Sequence, residues 1–421
     1  MLIEFQVTNF RSFRDRQTFS MVADTLDQHT DSHTFDPKLA SFPRLLRSGV
    51  VYGANAAGKT NLLRAIQYMK NFVVNSAVTP ATAEHEFTPF AFSSQHRKKP
   101  SIFEITFAHN GRRYEYGFSI NAERVLSEQL IEHVHARGRD LFSRKYDRRR
   151  KKYNWEYGRY LKGQRTSWSE QTRDNALFLS TAAQLNSVQL MPVFEWFQKH
   201  LVVIVSGITL NESLTWQLLQ KPKGKNKILP FLRQADFGIS DIEVDTQQVQ
   251  PGGIVAGGRG VVLHHPPGAK RPQVYRATFT HKWGDDSDEA KLEFDDESSG
   301  TQVFFKNAGA WLNVLANGEV FLVDEIDSSL HPLLTQFLIQ RFHSSKTNPN
   351  NAQLIFNTHD TFFLNQELFR RDQIWFVEKE MDGATRLYPL TDFKPRNDES
   401  LGRRYIRGRY GALPIISESQ E

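Results

Sequence analysis

The chain contains no cysteine, which excludes a disulfide framework and a thiolate zinc site and fits a reducing compartment. No apolar run approaches the roughly 20 residues needed to span a bilayer. The opening MLIEFQVTNF alternates like a strand and has no basic region followed by an apolar core, so no signal peptide is expected. Long heptad arrays and internal repeats are also missing, which excludes extended coiled-coil arms and a solenoid. These absences lead to the expectation of a soluble, cytoplasmic protein with no membrane partner. At 421 residues the chain can bury a large core in two or three lobes. Its net charge of +6 and pI near 9.2 lean toward acidic partners.

One stretch carries strong chemistry. Gly53-Ala54-Asn55-Ala56-Ala57-Gly58-Lys59-Thr60 satisfies the pattern G-x-x-x-x-G-K-[ST]. The strand-like SGVVY precedes it, and a helical stripe of Leu62, Leu63, Ile66, Met69 and Val73 follows. Glycines let the backbone curl so that its N–H groups face a polyphosphate. Lys59 then reaches the β/γ oxygens, and the Thr60 hydroxyl ligates Mg²⁺.

A second metal contact and a group to activate water are expected from Glu319-Val-Phe-Leu-Val-Asp-Glu-Ile-Asp. Val320 to Val323 read as a buried parallel strand ending at Asp324 and Glu325. Asp324 would hold Mg²⁺ through water, and Glu325 would orient or deprotonate the attacking water. Further on, AQLIFNTHD repeats the device, with Leu354 to Phe356 ending at Asn357, Thr358 and His359. Leu330, Leu333, Leu334, Phe337, Leu338 and Phe342 recur at helical spacing between the two strands. The expectation is a βαβ unit that brings His359 beside Asp324, where it contacts the terminal phosphate.

Glu297-Ser298-Ser299-Gly300-Thr301 begins another helical pattern. Ser298, Ser299 and Gly300 read either as a plain helix cap or as a phosphate site at a helix start. GANAAGKT, ESSGT, VFLVDE, the D-loop-like IDSSLHP and NTHD stand in the order seen in ABC-type ATPases of the SMC/RecF and overlapping-lysogenization class, and VTNFRSF resembles that class's N-terminal strand motif. The chain looks most like the short RloA/AbiLi-type ATPases of bacterial phage defence, which the segments ALFLSTAAQLN, IWFVEKE and YIRGRYGALP also resemble.

The resemblance implies an α/β fold: an ABC-type P-loop head with a β-rich first lobe and an inserted α+β middle region. The head would comprise residues 1–110 and 291–421, with the insertion at 111–290. Nucleotide contacts are implied for Gly53, Asn55, Ala57, Gly58, Lys59, Thr60, Asn61, Arg11 and Asp327, with ATP and Mg²⁺ as cofactors. Ser298, Ser299 and Gly300 would act in trans, so that two chains sandwich two nucleotides. The departures are Glu297 where transporters carry leucine, and Thr301 directly after the glycine with Gln302 following. Gln95 reads as a surface residue and not as a glutamine loop.

The middle of the chain suggests a hairpin over Ser101–Phe118 with Asn110-Gly111 at its turn. Residues near 174–200 read as helical, broken near Pro192, with Phe194, Trp196 and Phe197 as core. Pro251–Gly260 reads as a flexible glycine loop. His264-His265 and the stretch from Asp27 to His33 read as surface loops. Between Arg137 and Arg165 basic residues interleave with Tyr146, Tyr153, Trp155, Tyr157 and Tyr160. That stretch fits a DNA backbone track, a solvated hairpin or a docking face for a protein. Glu378 follows a strand, as does the nuclease glutamate of longer relatives, but no DxD follows it, so a separate effector protein encoded nearby is expected. A DNA-repair ATPase and an assembly scaffold with little turnover are the alternatives.

Overall fold

Alternating apolar and polar residues in the N-terminal half produce strands that bury one face. The computed structural model describes residues 1–26, 28–134, 137–205, 213–235, 238–248, 262–264, 273–283, 288–328, 330–396 and 398–414. The glycine loop at 251–260, Asp27 and His265 lie outside these residues. The first strands are β1 (Leu2–Thr8), β2 (Gln17–Ser20), β3 (Thr34–Phe35), β4 (Leu45–Leu46) and β5 (Ser48–Gly53). After them come β6 (Ser101–His109), β7 (Arg112–Ile120), β8 (Val125–Val134), β9 (Arg137–Asp147) and β10 (Lys152–Tyr157).

Seven strands form an antiparallel sheet in the order β10-β9-β8-β7-β6-β1-β2. Asn110 and Gly111 both have positive φ, 49° and 71°, as the expected type I′ turn between β6 and β7 requires. On β6, Phe103, Ile105 and Phe107 are buried while Ile102, Glu104 and Thr106 are only partly covered.

The second sheet has the order β11-β16-β17-β5-β18-β19, with β11 (Leu201–Ile204), β16 (Val320–Val323), β17 (Gln353–Asn357), β18 (Ile374–Lys379) and β19 (Thr385–Pro389). It is parallel except for the β18–β19 hairpin. Helix α1 is Thr30–His33, and α2 (Lys59–Asn75) buries Leu62, Leu63, Ile66, Met69 and Val73, the stripe read from the sequence. One hydrophobic cluster unites α2, inner residues of the antiparallel sheet such as Phe5 and Phe103, and Val51, Leu322 and Ile355 of the parallel sheet.

The chain divides into two compact units: Met1–Ser206 with Asn317–Ile326 and Ile339–Glu421, and Gly207–Ala316 with Asp327–Leu338. These boundaries differ from an insertion at 111–290, because β7 to β10 continue the sheet that β1 and β6 begin. Helices α3 (Arg165–Gln171), α4 (Phe178–Gln184) and α5 (Met191–Glu195) belong to the first unit. Pro192 opens α5 and does not break a helix; proline fits there because a first-turn N–H has no helical partner. Trp196 and Phe197 are fully buried, as expected of core. The fully buried Glu128 pairs with Arg144 and accepts hydrogen bonds from the N–H groups of Phe178 (2.7 Å) and Leu179 (3.0 Å) at the start of α4.

The second unit holds α6 (Ser213–Gln220), α7 (Lys225–Gln234) and α8 (Ser299–Asn317) with a sheet of β12 (Ile239–Gln248), β13 (Val262–His264), β14 (Gln273–Trp283) and β15 (Asp288–Glu293). Trp216 of α6 stacks on Tyr275 and meets Phe305 of α8 edge-on. A Cβ at Gly309 would stand 2.4 Å from the Thr215 nitrogen, so only glycine lets the two backbones approach this closely. Helix α9 (Pro332–His343) crosses the boundary between the units. The longest described helix, α8, has 19 residues, too few for long coiled-coil arms, and no described helix is long and apolar enough to cross a membrane.

His33 is buried, contrary to the surface loop expected of its stretch. Its ring stacks on His343 with centroids 3.7 Å apart, and its Nδ1 lies 2.8 Å from Gln373 Oε1. Burial, opposed by the Gln373 hydrogen bond and assisted by the charges of His29, Arg370 and Arg47, lowers the His33 pKa to about 4. His343, hydrogen-bonded to Ser48 (2.8 Å), is likewise pushed well below 6.5 by burial. Both rings fold neutral, so their stabilisation is full above pH 6.5 and lost as pH falls, for His33 toward 4, because the unfolded chain binds the protons first. For His33 the loss is about 3 kcal/mol. Urea denaturation of the wild type should show the midpoint falling between pH 7 and 5, and His33→Phe should flatten that fall; equal pH dependence in both proteins would contradict it.

Candidate functional site

The parallel sheet sets the site through its strand order. β17 lies between β5, which ends in the glycine loop, and β16, which ends in the paired carboxylates. Its carboxyl end therefore opens between the two motifs, as ligand-facing strand ends do in open α/β sheets.

The loop after β5 turns through Ala56 (φ 61°) and Gly58 (φ 113°) into α2, whose first N–H groups have no partners within the helix. A Cβ on Gly58 would stand 2.4 Å from Thr385 Oγ1, so the site needs glycine for space as well as for φ. Lys59 is buried, and its ammonium donates to the carbonyls of Gly53 (2.7 Å) and Ala54 (3.1 Å). Asn55 is exposed and Ala57 is buried. A cavity of about 660 Å³ opens beside the loop, lined in part by Ala54, Asn55, Ala57, Phe92 and Met381.

The Thr60 hydroxyl donates to Asp324 Oδ1 at 3.0 Å, so the two expected metal ligands already touch. Asp324 is buried and Glu325 is exposed. Glu325 has φ 50°, a left-handed conformation that is strained for a residue with a side chain. Asn357 fixes both neighbours: its Nδ2 donates to Asp324 Oδ1, and its Oδ1 accepts from the Glu325 N–H at 2.6 Å. His359 is exposed, with Nδ1 3.4 Å from Lys59 Nζ. The expected parallel strands are present, with β17 beside β16. Asn357 hydrogen-bonds Asp324, and His359 stands beside Lys59.

Sequence reasoning also passed over a brace on the loop. Asn61 Nδ2 donates to Ser12 Oγ at 2.8 Å, and Thr385 Oγ1 lies 2.8 Å from Ser12 Oγ and 2.7 Å from the Ala57 carbonyl. Ser12, from VTNFRSF, is therefore the residue of that segment that reaches the loop. Arg11 instead points its guanidinium at Glu86, 3.7 Å away. The only advance signal was a cluster of small polar residues beside known motifs.

In the second unit, Ser298 is the N-cap of α8. Its Oγ accepts from the Thr301 N–H at 3.1 Å and lies 2.8 Å from Thr301 Oγ1. Ser298 and Ser299 are exposed, whereas Glu297 is tied to His281 at 2.6 Å. Asp327 accepts the Leu330 N–H on its carbonyl (3.2 Å), and its Oδ1 is buried with no hydrogen-bond partner among the described residues. Gln95 is exposed, as expected, and Glu378 accepts from the Tyr388 hydroxyl and the Ala412 N–H. Among the described residues no group of three His, Asp or Glu side chains is arranged to hold a metal.

In the basic stretch, Arg148, Arg149, Arg150, Lys151 and Lys152 are exposed at the β9–β10 turn. Three of its aromatics, each half-buried, have partners within the protein. Trp155 and Tyr157 stack on each other and pack against Phe178, and the Tyr153 hydroxyl donates to the Val125 carbonyl.

A search of curated proteins gave no match. Residues 50–365 match the family model AAA_21, described as "AAA domain, putative AbiEii toxin, Type IV TA system". That span holds the glycine loop from Gly53, the carboxylates at the end of β16 and the polar end of β17, and the chain belongs to this AAA_21 family of P-loop proteins.

Proposed function

We propose that the protein binds and hydrolyses ATP with Mg²⁺, dimerises around the nucleotide and controls a separate nuclease or toxin in an anti-phage defence system. The observation that carries the catalytic part is the convergence of Lys59, Thr60, Asp324, Glu325 and His359 at the ends of three adjacent strands. The family's description, which names a toxin and a type IV toxin–antitoxin system, supports the defence setting.

The residues fit the cofactor. The loop curls through two positive-φ residues, and a hydroxyl and a carboxylate already share one contact, a donor set suited to a hard cation. Bound Mg-ATP would supply the γ-phosphoryl group that water attacks, ADP as the leaving group, and the cation's charge. Lys59 exchanges its carbonyl partners for phosphate oxygens. Thr60 and Asp324 hold the metal. Glu325, left exposed by its backbone conformation, orients a water and accepts its proton. His359, beside Lys59, bonds the terminal phosphate. Ser298, Ser299 and Gly300 of a second chain close the site, a role for which the exposure of Ser298 and Ser299 leaves room.

The exposed Arg148–Lys152 turn favours a second reading, contact with DNA phosphates. The packing of Trp155 and Tyr157 on Phe178 weighs against those two rings serving as a base-stacking platform.

Lys59→Ala should lower ATP affinity by about 10- to 150-fold, measured by calorimetry, since a charge-assisted phosphate contact contributes about 1.5–3 kcal/mol. Near-normal affinity would reject the P-loop role. Glu325→Gln should bind ATP, stop turnover and accumulate an ATP-dependent dimer in light scattering, and adding Ser298→Arg should abolish that dimer; a dimer that persists leaves Ser298 only a helix cap. Asn357→Ala removes one donor from the Asp324 carboxylate and the side-chain acceptor of the Glu325 N–H. Turnover should drop at least about tenfold while ATP affinity stays within about threefold, with a stability cost of about 1–3 kcal/mol; unchanged turnover would deny Asn357 its positioning role.

A further inference from the structure

A basin rich in arginine lies near the helix α10 (Leu401–Ile406), apart from the glycine loop in sequence and lining. A cavity of about 370 Å³ is lined by Arg396, Asp398, Glu399, Ser400, Arg403, Arg404, Arg407 and Arg409. Five guanidinium groups thus face two carboxylates across a small volume. Glu399, whose side chain is 6 % exposed, accounts for two of the five: its carboxylate lies 3.5 Å from both Arg404 and Arg409, and it accepts the Tyr410 hydroxyl at 3.1 Å. Arg396, Arg403 and Arg407 are exposed, and none pairs with a carboxylate among the described residues.

The frame around them is tied down. Gln366 Nε2 donates to the carbonyls of Arg396 (2.8 Å) and Glu399 (3.1 Å), Arg371 donates to Pro395, and the Tyr405 hydroxyl donates to Ala412 (3.0 Å). The Tyr405 ring packs on Tyr52 and Phe376 of the parallel sheet. The arginines are thus mounted on an ordered base, which lowers the ordering cost of binding.

We propose that this basin binds an oligophosphate group. Every cation lining it is an arginine, whose planar fork matches phosphate oxygens bidentately. No apolar or aromatic side chain lines it, so it offers neither a base-stacking surface nor an anchor for a hydrophobic peptide. Phosphates also concentrate more charge than carboxylates: each phosphate monoester carries about −1.5 to −2 at pH 7, so one small group answers three free guanidinium ions where a peptide must crowd in several acidic side chains. The group has two sources, a free oligophosphate or the 5′ end of a nucleic acid, which share this chemistry. The assignment does not depend on ATP hydrolysis.

The test uses the full chain carrying Lys59→Ala, so that the glycine loop is weakened, titrated with sodium tripolyphosphate by calorimetry. Saturable binding that falls at least about tenfold in Arg403→Gln/Arg407→Gln, and that weakens with added salt, is the expected result. Both arginines are exposed, and an unchanged thermal melt verifies the fold of the variant. Competition by a short single-stranded oligonucleotide with a 5′-triphosphate, but not by its 5′-hydroxyl form, identifies a nucleic-acid end; competition by neither identifies a free oligophosphate. The proposal is overturned by absence of binding in the Lys59→Ala chain, by binding indifferent to the double substitution, or by equal displacement with a tetraglutamate peptide.

Discussion

The candidate active site depends on one carboxamide. Asn357 donates to Asp324 and accepts from the Glu325 N–H, so a single side chain sets the carboxylate that touches Thr60 and pins a backbone turn with positive φ. A left-handed glutamate costs of order 1–3 kcal/mol and persists only where its surroundings hold it. Here the reward is geometric: Asp324 stays buried against Thr60 while the next residue is turned outward. Asn357 can do this because β17 lies between β5 and β16. With the two motif strands directly paired, no third strand end would reach both.

How much of this was legible depended on the range of each interaction. GANAAGKT, the stripe from Leu62 to Val73 and the Asn110-Gly111 turn are local patterns, and the structure has them where the sequence put them. The buried runs Val320–Val323 and Leu354–Phe356 also declared themselves as parallel strands, since both faces of such strands are apolar. The polar brace was not legible. Asn357 meets Asp324 across 33 residues, Asn61 meets Ser12 across 49, and Thr385 meets Ser12 across 373. Nothing in composition or periodicity marks such pairs. His33 hid for a similar reason: its stacking partner, His343, comes from the end of α9. The basic stretch was ambiguous for another reason. Its tyrosines and tryptophan are spaced as a strand would space them whether they face nucleic acid or a core, and the packing of Trp155 and Tyr157 on Phe178 is a contact that spacing does not show.

The two parts of the candidate machinery differ in what their surroundings ask of them. In the first unit, Ser12, Asn61 and Thr385 bind one another and the loop backbone, while Lys59 donates to loop carbonyls and Glu325 stays exposed. In the second unit Ser298 spends its oxygen on the Thr301 N–H, which orders the start of α8 and leaves Ser299 and Gly300 at its tip. Capping and phosphate contact are therefore compatible uses of one turn. The buried Glu128 shows the same economy in the scaffold, serving as an ion-pair partner to Arg144 and as the acceptor for two N–H groups at the start of α4.

The order β11-β16-β17-β5-β18-β19 also governs how the chain emerges during synthesis. β5 is made early, but its hydrogen-bonding neighbours, β17 and β18, lie near the other end of the sequence. At ~5–20 residues per second, the roughly 300 intervening residues take on the order of 15–60 s to translate. Throughout that wait Val50, Val51 and Tyr52 have no strand partners, the state in which an apolar strand is most prone to pair with another chain. The antiparallel sheet closes much sooner, since β10 ends at Tyr157, and it offers the apolar stripe of α2 a surface before the parallel sheet exists. The nucleotide loop is thus among the last parts of the molecule to be completed, waiting on Thr385 for its final brace.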